Sequence, residues 1–211
     1  MRVNVLVLDD VFDLGLSAVL DAFQTANELI GLSGLTVPRF EVKIAGVRKA
    51  VKTSQGLTVP VSTTSWRAPD CVVVPAIGFK MPGPLETALR RPDVQDAGAA
   101  LRHWARGGAT MTAACIGTFV MAESGLLDHQ HATTTWWLAP LFHQRYPQVL
   151  LDESNMIVKS GKFVTAGAAL SHMDLALWLV RGVSPKLASL TAKYLIVDSR
   201  PSQSAYAAVQ R

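Results

Sequence analysis

The chain of 211 residues is 49% hydrophobic and 17% charged, and its formal net charge is +4. This balance is typical of a compact domain with a buried core and excludes a disordered chain. The lysines and arginines are scattered without a run of like charges, so charge alone does not indicate nucleic-acid binding. The two cysteines, Cys71 and Cys115, have neither zinc-site spacing nor a disulfide framework, and free thiols fit a reducing cytoplasm.

In the first half of the chain, strand and helix patterns alternate. The apolar run at residues 3–8 predicts a first strand and is too short for a signal peptide or a membrane span. Apolar residues then recur at helical spacing until Gly31, and Asp13 stands where it could cap that helix. Further strands are predicted over residues 40–45, 71–74 and 109–113, with a hairpin around Gly56, helices from about residue 85 and over 93–106, and a connection over 66–69.

The second half of the chain continues with short strands and longer helices. Strands are predicted over residues 132–134, 150–152, 156–159 and 163–165, and helices over 136–146, 170–180 and 184–196. The tail, residues 199–211, has no apolar periodicity and is predicted to be a linker or a frayed end. Strands that alternate with helices imply an α/β fold with a mostly parallel sheet and helices on both faces.

Three candidate site segments each follow a predicted strand: Asp13, residues 76–78 and Cys115. In such sheets ligands bind beyond the carboxyl ends of the strands, at a topological switch point, so we expect the three segments to meet at one edge. The sequence has no GxGxxG and no P-loop, and its five histidines have no HxxxH or HExxH spacing. We therefore expect no nucleotide cofactor and no metal.

Cys115 occupies the turn between the strand at 109–113 and a helix that begins at Gly117. A strand–turn–helix elbow lifts a side chain clear of the sheet, and the following helix N-terminus favours a thiolate. The position therefore permits a reactive cysteine. It is equally compatible with a small buried core residue, because free cysteines are among the most buried side chains. Cys71 lies in the apolar run CVVVP and is expected to be buried and inert.

Short motifs occur in a fixed order along almost the whole chain. They are Asp13-Leu14-Gly15 with Phe23 and Asn27, residues 72–75 with Gly78, Ala114-Cys115-Ile116-Gly117, residues 122–127, Ala132-Thr133-Thr134 with Trp136, Tyr146-Pro147, and Thr165-Ala166-Gly167 with Asp174. In this order and spacing the chain resembles the ThiJ/PfpI superfamily, and more closely the branch fused to AraC-type transcription regulators. The resemblance implies a flavodoxin-like three-layer sandwich with a cysteine at the elbow.

The resemblance also implies that two regions of the chain have different roles. Residues 1–198 are expected to be a ligand-sensing domain, and residues 199–211 a linker toward a C-terminal helix-turn-helix domain that is absent from this chain. The expected partners are a small-molecule effector, DNA through that further domain, and a second copy in a homodimer. No membrane contact is expected, and the location is expected to be cytoplasmic.

Enzymes of the superfamily pair the elbow cysteine with a histidine, and a nearby acidic residue hydrogen-bonds the sulfur. Here Asp13 matches the acidic position, but the residue after Cys115 is Ile116, and Thr135 stands where the regulator branch often has histidine. Threonine has no titratable nitrogen, so Thr135 cannot serve as the general base. His172 could approach the pocket, but we assign it a structural role. We therefore expect no working Cys–His pair and no enzyme.

The candidate ligand site is a small, partly polar cavity whose members supply carboxylate, hydroxyl, backbone N–H and aromatic groups. They are Asp13, Ile77, Gly78, Cys115, Ile116, Thr134, Thr135 and Trp136. The leading hypothesis is an effector-sensing and dimerising regulator domain that binds a small polar metabolite near Cys115. The alternatives are a ThiJ/PfpI-type cysteine hydrolase (an amidase, a peptidase or a glyoxalase-like enzyme) and a thiol redox sensor.

Overall fold

The computed structural model describes residues 1–63 and 68–207. The strands are β1 (Arg2–Leu6), β2 (Glu41–Gly46), β3 (Ala50–Lys52), β4 (Thr58–Pro60), β5 (Ser62–Thr63), β6 (Cys71–Val74), β7 (Thr110–Ala114), β8 (His131–Ala132), β9 (Leu150–Leu151), β10 (Ile157–Ser160) and β11 (Phe163–Ala166). The helices are α1 (Asp13–Ser33), α2 (Pro82–Leu89), α3 (Pro92–Arg106), α4 (Gly117–Glu123), α5 (Ala139–Arg145), α6 (Ser171–Val183), α7 (Pro185–Leu195) and α8 (Ser204–Ala207), with a 3₁₀ turn, Trp136–Leu138, before α5.

The main sheet has seven strands in the order β10–β11–β7–β6–β1–β2–β5. Every neighbouring pair is parallel except β10 with β11, which is an antiparallel hairpin. The prediction of a mostly parallel sheet is confirmed. The chain runs outward from β1 to β2 on one side and then starts again at β6 on the other side, so the switch point lies between β1 and β6.

Helices cover both faces of the sheet, which gives the three-layer, flavodoxin-like sandwich. Side chains alternate across each strand, so Val73 faces one hydrophobic cluster and Val72 the other. One cluster includes residues of α1, α6 and α7, and the other includes residues of α2, α3 and α4. This double coverage explains why the four residues of β6, CVVV, are all buried.

The first helix differs from its predicted bounds at both ends. It continues past Gly31 to Ser33 and ends at Gly34, whose φ of 65° provides the left-handed cap. Asp13 does not cap the helix as predicted, because Phe12 occupies the N-cap position and Asp13 is the first helical residue. The hairpin around Gly56 is confirmed, with β3 and β4 antiparallel. Residues 66 and 67 of the connection predicted over residues 66–69 lie outside the described part of the chain.

Residues 200–203, at the start of the predicted linker, lie against the domain. Gln203 is fully buried, and a short helix, α8, follows it. The contacts are hydrogen bonds to loops and one ion pair with α6, and such contacts leave no apolar period in the sequence. Residues 208–211 of the predicted linker lie outside the described part of the chain.

Candidate functional site

The elbow at Cys115 has the geometry that the sequence predicts. Cys115 links β7 to α4 with a φ of 55°, a left-handed conformation that is uncommon for a residue with a side chain. Its N–H donates to the Ala166 carbonyl at 2.8 Å, and its carbonyl accepts a hydrogen bond from Thr134 Oγ1 at 2.8 Å. Both neighbouring segments therefore hold the strained residue in place, as such strain requires.

Gly117 brings the elbow against the neighbouring strand. A Cβ at this position would lie 2.2 Å from the Val74 carbonyl oxygen and 2.8 Å from the Pro75 carbonyl oxygen. Only glycine allows α4 to start this close to the end of β6. The residues that follow β6 therefore lie next to Cys115, as the parallel-sheet argument predicts.

A cavity of about 240 Å³ opens at this edge of the sheet. Its walls come from the residues after β1, β6 and β7, from the 3₁₀ turn and from the loop before α6. The lining residues are Phe12, Ala76, Ile77, Gly78, Lys80, Cys115, Ile116, Trp137 and Ala169. Apart from the exposed Lys80, every lining side chain is apolar or a thiol, so the cavity is less polar than the sequence suggests.

The structure brings together half of the predicted ligand-binding residues. Four of them line the cavity: Ile77, Gly78, Cys115 and Ile116. Thr134 and Thr135 do not line it. They are 2% and 0% exposed, and the Thr134 hydroxyl bonds to the carbonyl of Cys115 rather than facing the cavity.

Trp137 lines the cavity in the place that was predicted for Trp136. Its Nε1 donates to the Lys80 carbonyl at 3.2 Å, which closes one wall of the cavity. The two indole rings meet edge to face at 5.5 Å. Successive residues of a 3₁₀ turn point about 120° apart, so only one of two adjacent tryptophans can face the cavity.

Asp13 is directed to the β3–β4 hairpin instead of the thiol. Its Oδ2 accepts hydrogen bonds from Ser54 Oγ at 2.8 Å and from the Gln55 N–H at 3.1 Å. Burial disfavours the charged form, but hydrogen bonds from the hairpin outweigh it and hold the pKa of Asp13 below its ordinary value. No hydrogen bond among the described residues joins Asp13 to Cys115, so the predicted acid–thiol pair is not formed.

The thiol of Cys115 is held in its neutral form. Burial raises the pKa of Cys115 to about 12, against a smaller opposing effect of the Ile116 N–H and the Thr135 hydroxyl. At neutral pH the thiol is therefore almost entirely un-ionised. Thr135 Oγ1 approaches the sulfur but makes no hydrogen bond of ordinary geometry with the described residues. Desolvation therefore outweighs the helix N-terminus that the sequence argument relied on.

His172 supports the cavity wall, a structural role that only its position five residues after Gly167 could have indicated. The imidazole is fully buried. Its Nδ1 lies 2.6 Å from the Ala169 carbonyl, and its Nε2 accepts the Ala76 N–H at 3.0 Å, which assigns the proton to Nδ1. Burial lowers the pKa of His172 to about 4, so the ring stays neutral. Because both ring nitrogens are engaged in these hydrogen bonds, His172 cannot act as the proton acceptor for Cys115 in a Cys–His pair.

The backbone N–H groups of Gly78 and Ile116 do not form an oxyanion hole, the pair of donors that a cysteine hydrolase would need. The Gly78 N–H donates to the Asp10 carbonyl at 2.7 Å. The Ile116 N–H is directed at the sulfur of Cys115, where it favours the thiolate. Two convergent free donors, which an oxyanion hole needs, are therefore not provided by this pair.

The fold and the elbow define an α/β domain of the flavodoxin-like type with a cysteine at the strand–turn–helix turn. Residues 1–182 match the model of the DJ-1/PfpI family, and the chain belongs to that family. None of the helices among residues 1–63 and 68–207 has the length and apolar character needed to cross a membrane.

The curated relatives include transcription regulators. The HTH-type transcriptional regulator GbdR of Pseudomonas aeruginosa is 24% identical over 180 residues, which cover 84% of this chain and 45% of the regulator. The HTH-type transcriptional regulator CdhR of the same species is 31% identical over 105 residues, 49% of this chain and 31% of the regulator. The chain thus spans less than half the length of these two regulators.

A solved structure with the same fold is the AraC family transcriptional regulator from Pseudomonas putida. It superposes with a TM-score of 0.75 at 20% sequence identity and covers 92% of this chain and 98% of that one. At this level of identity the likeness establishes the fold and leaves the function to be argued from the site.

Proposed function

We propose that the chain is the effector-sensing and dimerising domain of an AraC-type transcription regulator. In this proposal a small metabolite binds in the cavity beside Cys115, and residues from about 199 onward lead to a DNA-binding domain outside this chain. A regulator of this kind acts on DNA in the cytoplasm as a homodimer, the commonest symmetric assembly. The regulator relatives support the proposal, but they extend well beyond the matched region.

The observation that carries the proposal is a cavity beside a thiol that has neither a lowered pKa nor an adjacent base. A cysteine nucleophile needs a lowered pKa or an adjacent base. Burial raises the pKa of Cys115 to about 12, and the ring nitrogens of His172 are both occupied. A site that offers shape and apolar contact without an activated nucleophile is suited to binding.

The lining supports a ligand with an apolar body and one anionic group. Apolar side chains and Trp137 would hold the body, while Lys80 stands at the rim. The Lys80 ammonium forms no ion pair among the described residues, so it is available to a carboxylate. At about 240 Å³ the cavity is smaller than the 300 Å³ or more of a typical drug-sized site, which favours a small metabolite.

The test is a thermal-shift screen of small carboxylic and amino acids, followed by calorimetry on each compound that raises the melting temperature. Lys80→Met should weaken binding of a carboxylate about tenfold, the effect of losing one charge-assisted contact. Lys186→Met, at an exposed lysine on α7, is the matched control and should bind like the wild type. A screen without any binder would overturn the sensor, and equal binding by Lys80→Met would overturn the anionic class.

Thiol chemistry remains the second candidate because the left-handed elbow at Cys115 is preserved. A hydrolase would show turnover of an amide, a peptide or a glyoxal that Cys115→Ala abolishes. A redox sensor would gain one to three oxygen atoms on Cys115 under mild peroxide, as seen by intact mass. Either result would replace the sensor proposal.

A further inference from the structure

Residues 200–203, which we call the return segment, dock onto the domain, and residues 201–203 contact the loop that precedes β10. The Ser202 backbone forms a bridge with Asn155, and the Gln203 N–H donates to the Ser154 carbonyl at 2.9 Å. The Met156 N–H donates to the Pro201 carbonyl at 3.1 Å. Backbone hydrogen bonds thus run in both directions between the segment and the loop, as they do between paired strands.

The loop and the segment are both anchored. Asp152 accepts hydrogen bonds from the N–H groups of Ser154 and Asn155 at 2.9 and 3.0 Å, which fixes the loop that receives the segment. Arg200 pairs with Asp174 of α6 at 2.6 Å and donates to the Leu170 carbonyl at 3.0 Å. The Asp174 side chain is only 9% exposed, so the start of the segment is tied to the helix that follows the cavity wall.

Gln203 inserts its side chain into the domain. It is 0% exposed, and its Nε2 donates to Thr133 Oγ1 at 3.1 Å and to the Thr134 carbonyl at 3.0 Å. It fills the space beside Gly167, where a Cβ would lie 2.6 Å from Oε1. The Oε1 atom has no hydrogen-bond partner among the described residues. A buried amide whose oxygen is unsatisfied holds the segment less firmly than a fully bonded one.

Thr134 connects this docking site to the elbow. Its carbonyl accepts the hydrogen bond from Gln203, while its own hydroxyl donates to the Cys115 carbonyl at 2.8 Å. Cys115 also lines the cavity. A single residue therefore separates the backbone of the elbow from the buried tip of the return segment.

We propose that the return segment is the output element of the sensor: it docks through Gln203, and Thr134 couples that docking to the position of the Cys115 backbone. The proposal rests on the proposed function, because a sensor needs a route from its cavity to the next domain. A ligand beside Cys115 changes docking only if it binds the docked and released states with different affinity. The link through Thr134 supplies a physical difference between these states.

Amide hydrogen exchange measures docking directly, because the Met156 and Gln203 amides lose their acceptors when the segment leaves. Gln203→Ala should speed exchange at both amides by about tenfold, the factor expected for the loss of two buried hydrogen bonds. Amides of α3, on the opposite face of the sheet, should keep the wild-type rate and thereby report an intact fold. Gln144→Ala, at an exposed position of α5, is the matched control. Unchanged exchange at Met156 in Gln203→Ala would overturn the docking.

The coupling is tested by Thr134→Val, which removes the hydrogen bond to Cys115 but keeps the carbonyl that holds Gln203. We expect exchange at Met156 to rise about fivefold. Thr112→Val is the control, since Thr112 is 0% exposed and its hydroxyl also donates to a backbone carbonyl, that of Val72 at 2.9 Å. If Thr134→Val and Thr112→Val change the exchange rate at Met156 equally, the coupling is overturned. The measurement needs no ligand, so its failure is distinct from failure of the binding screen.

Discussion

Gly117, the first residue of α4, is the position where an added methyl group should be tolerated least. The new Cβ would lie 2.2 Å from one carbonyl oxygen at the end of β6 and 2.8 Å from the next. The nearer oxygen belongs to Val74 of β6, a strand with neighbours on both sides, so it cannot move without shifting the sheet. We expect Gly117→Ala to lower the free energy of unfolding by about 3 kcal/mol, the upper part of the range for overpacking.

Gly31→Ala is the matched control because it makes the same change inside a helix. No atom lies within 4 Å of a Cβ at Gly31, and alanine is the better helix former by up to about 1 kcal/mol. The two variants should therefore shift stability in opposite directions. With a slope of about 2 kcal/mol per M, their urea midpoints should differ by about 2 M in unfolding followed by circular dichroism. A Gly117→Ala midpoint at or above that of the wild type would refute the close approach of the elbow to β6.

Three further predictions concern titratable groups. Burial lowers the pKa of His172 to about 4 from 6.5, so the unfolded chain binds more protons than the folded one between these pH values. The free energy of unfolding should therefore fall as the pH drops from about 6.5 to 4. His172→Gln should flatten this dependence of stability on pH in urea unfolding, and an equal dependence in wild type and variant would contradict it. Burial also raises the pKa of Cys115 to about 12, so iodoacetamide at pH 8 should label Cys115 far more slowly than a free cysteine. The labelling is read by peptide mass, and rapid labelling of the folded chain would favour the redox sensor. Glu123 pairs with Arg145, and their side chains are 14% and 22% exposed. Glu123→Ala should lower the free energy of unfolding by about 2 kcal/mol because it leaves a half-buried cation unpaired. Glu153→Ala, which breaks the exposed pair with His143, should lower it by less than about 1 kcal/mol, and similar urea midpoints for the two variants would argue against this ranking.

The sequence predicted the fold because its signals are local. The run CVVV is buried on both sides and bounded by Pro75, so its strand character needs no knowledge of its neighbours. The elbow at Cys115 is marked by a strand that ends in small residues and by Gly117, which must be small. Alternation of such strands with helices then fixes a mostly parallel sheet and the edge where ligands bind.

The errors at the site arose where a side chain had two possible directions. Asp13 follows the first strand as expected, but its partners are Ser54 and Gln55, 41 and 42 positions away, at the tip of the hairpin. Trp136 and Trp137 are adjacent, and the pattern does not say which of them faces the cavity. Gln203 stands between two serines without any apolar period, and its burial depends on hydrogen bonds to residues about 70 positions earlier.

Thr134 and Thr135 were assigned to the ligand site, but the directions of their side chains give them a different role. Thr134 and Thr135 lie behind the elbow, where the first holds the Cys115 carbonyl and the second approaches the sulfur. In front of the elbow the lining is nearly all apolar, so the polar groups of this region are gathered on the far side. A ligand in the cavity would therefore touch the thiol and its backbone but not the threonines. In the proposed coupling, a signal from that contact crosses the elbow, and the hydrogen bond from Thr134 to Cys115 leads to the buried amide of Gln203.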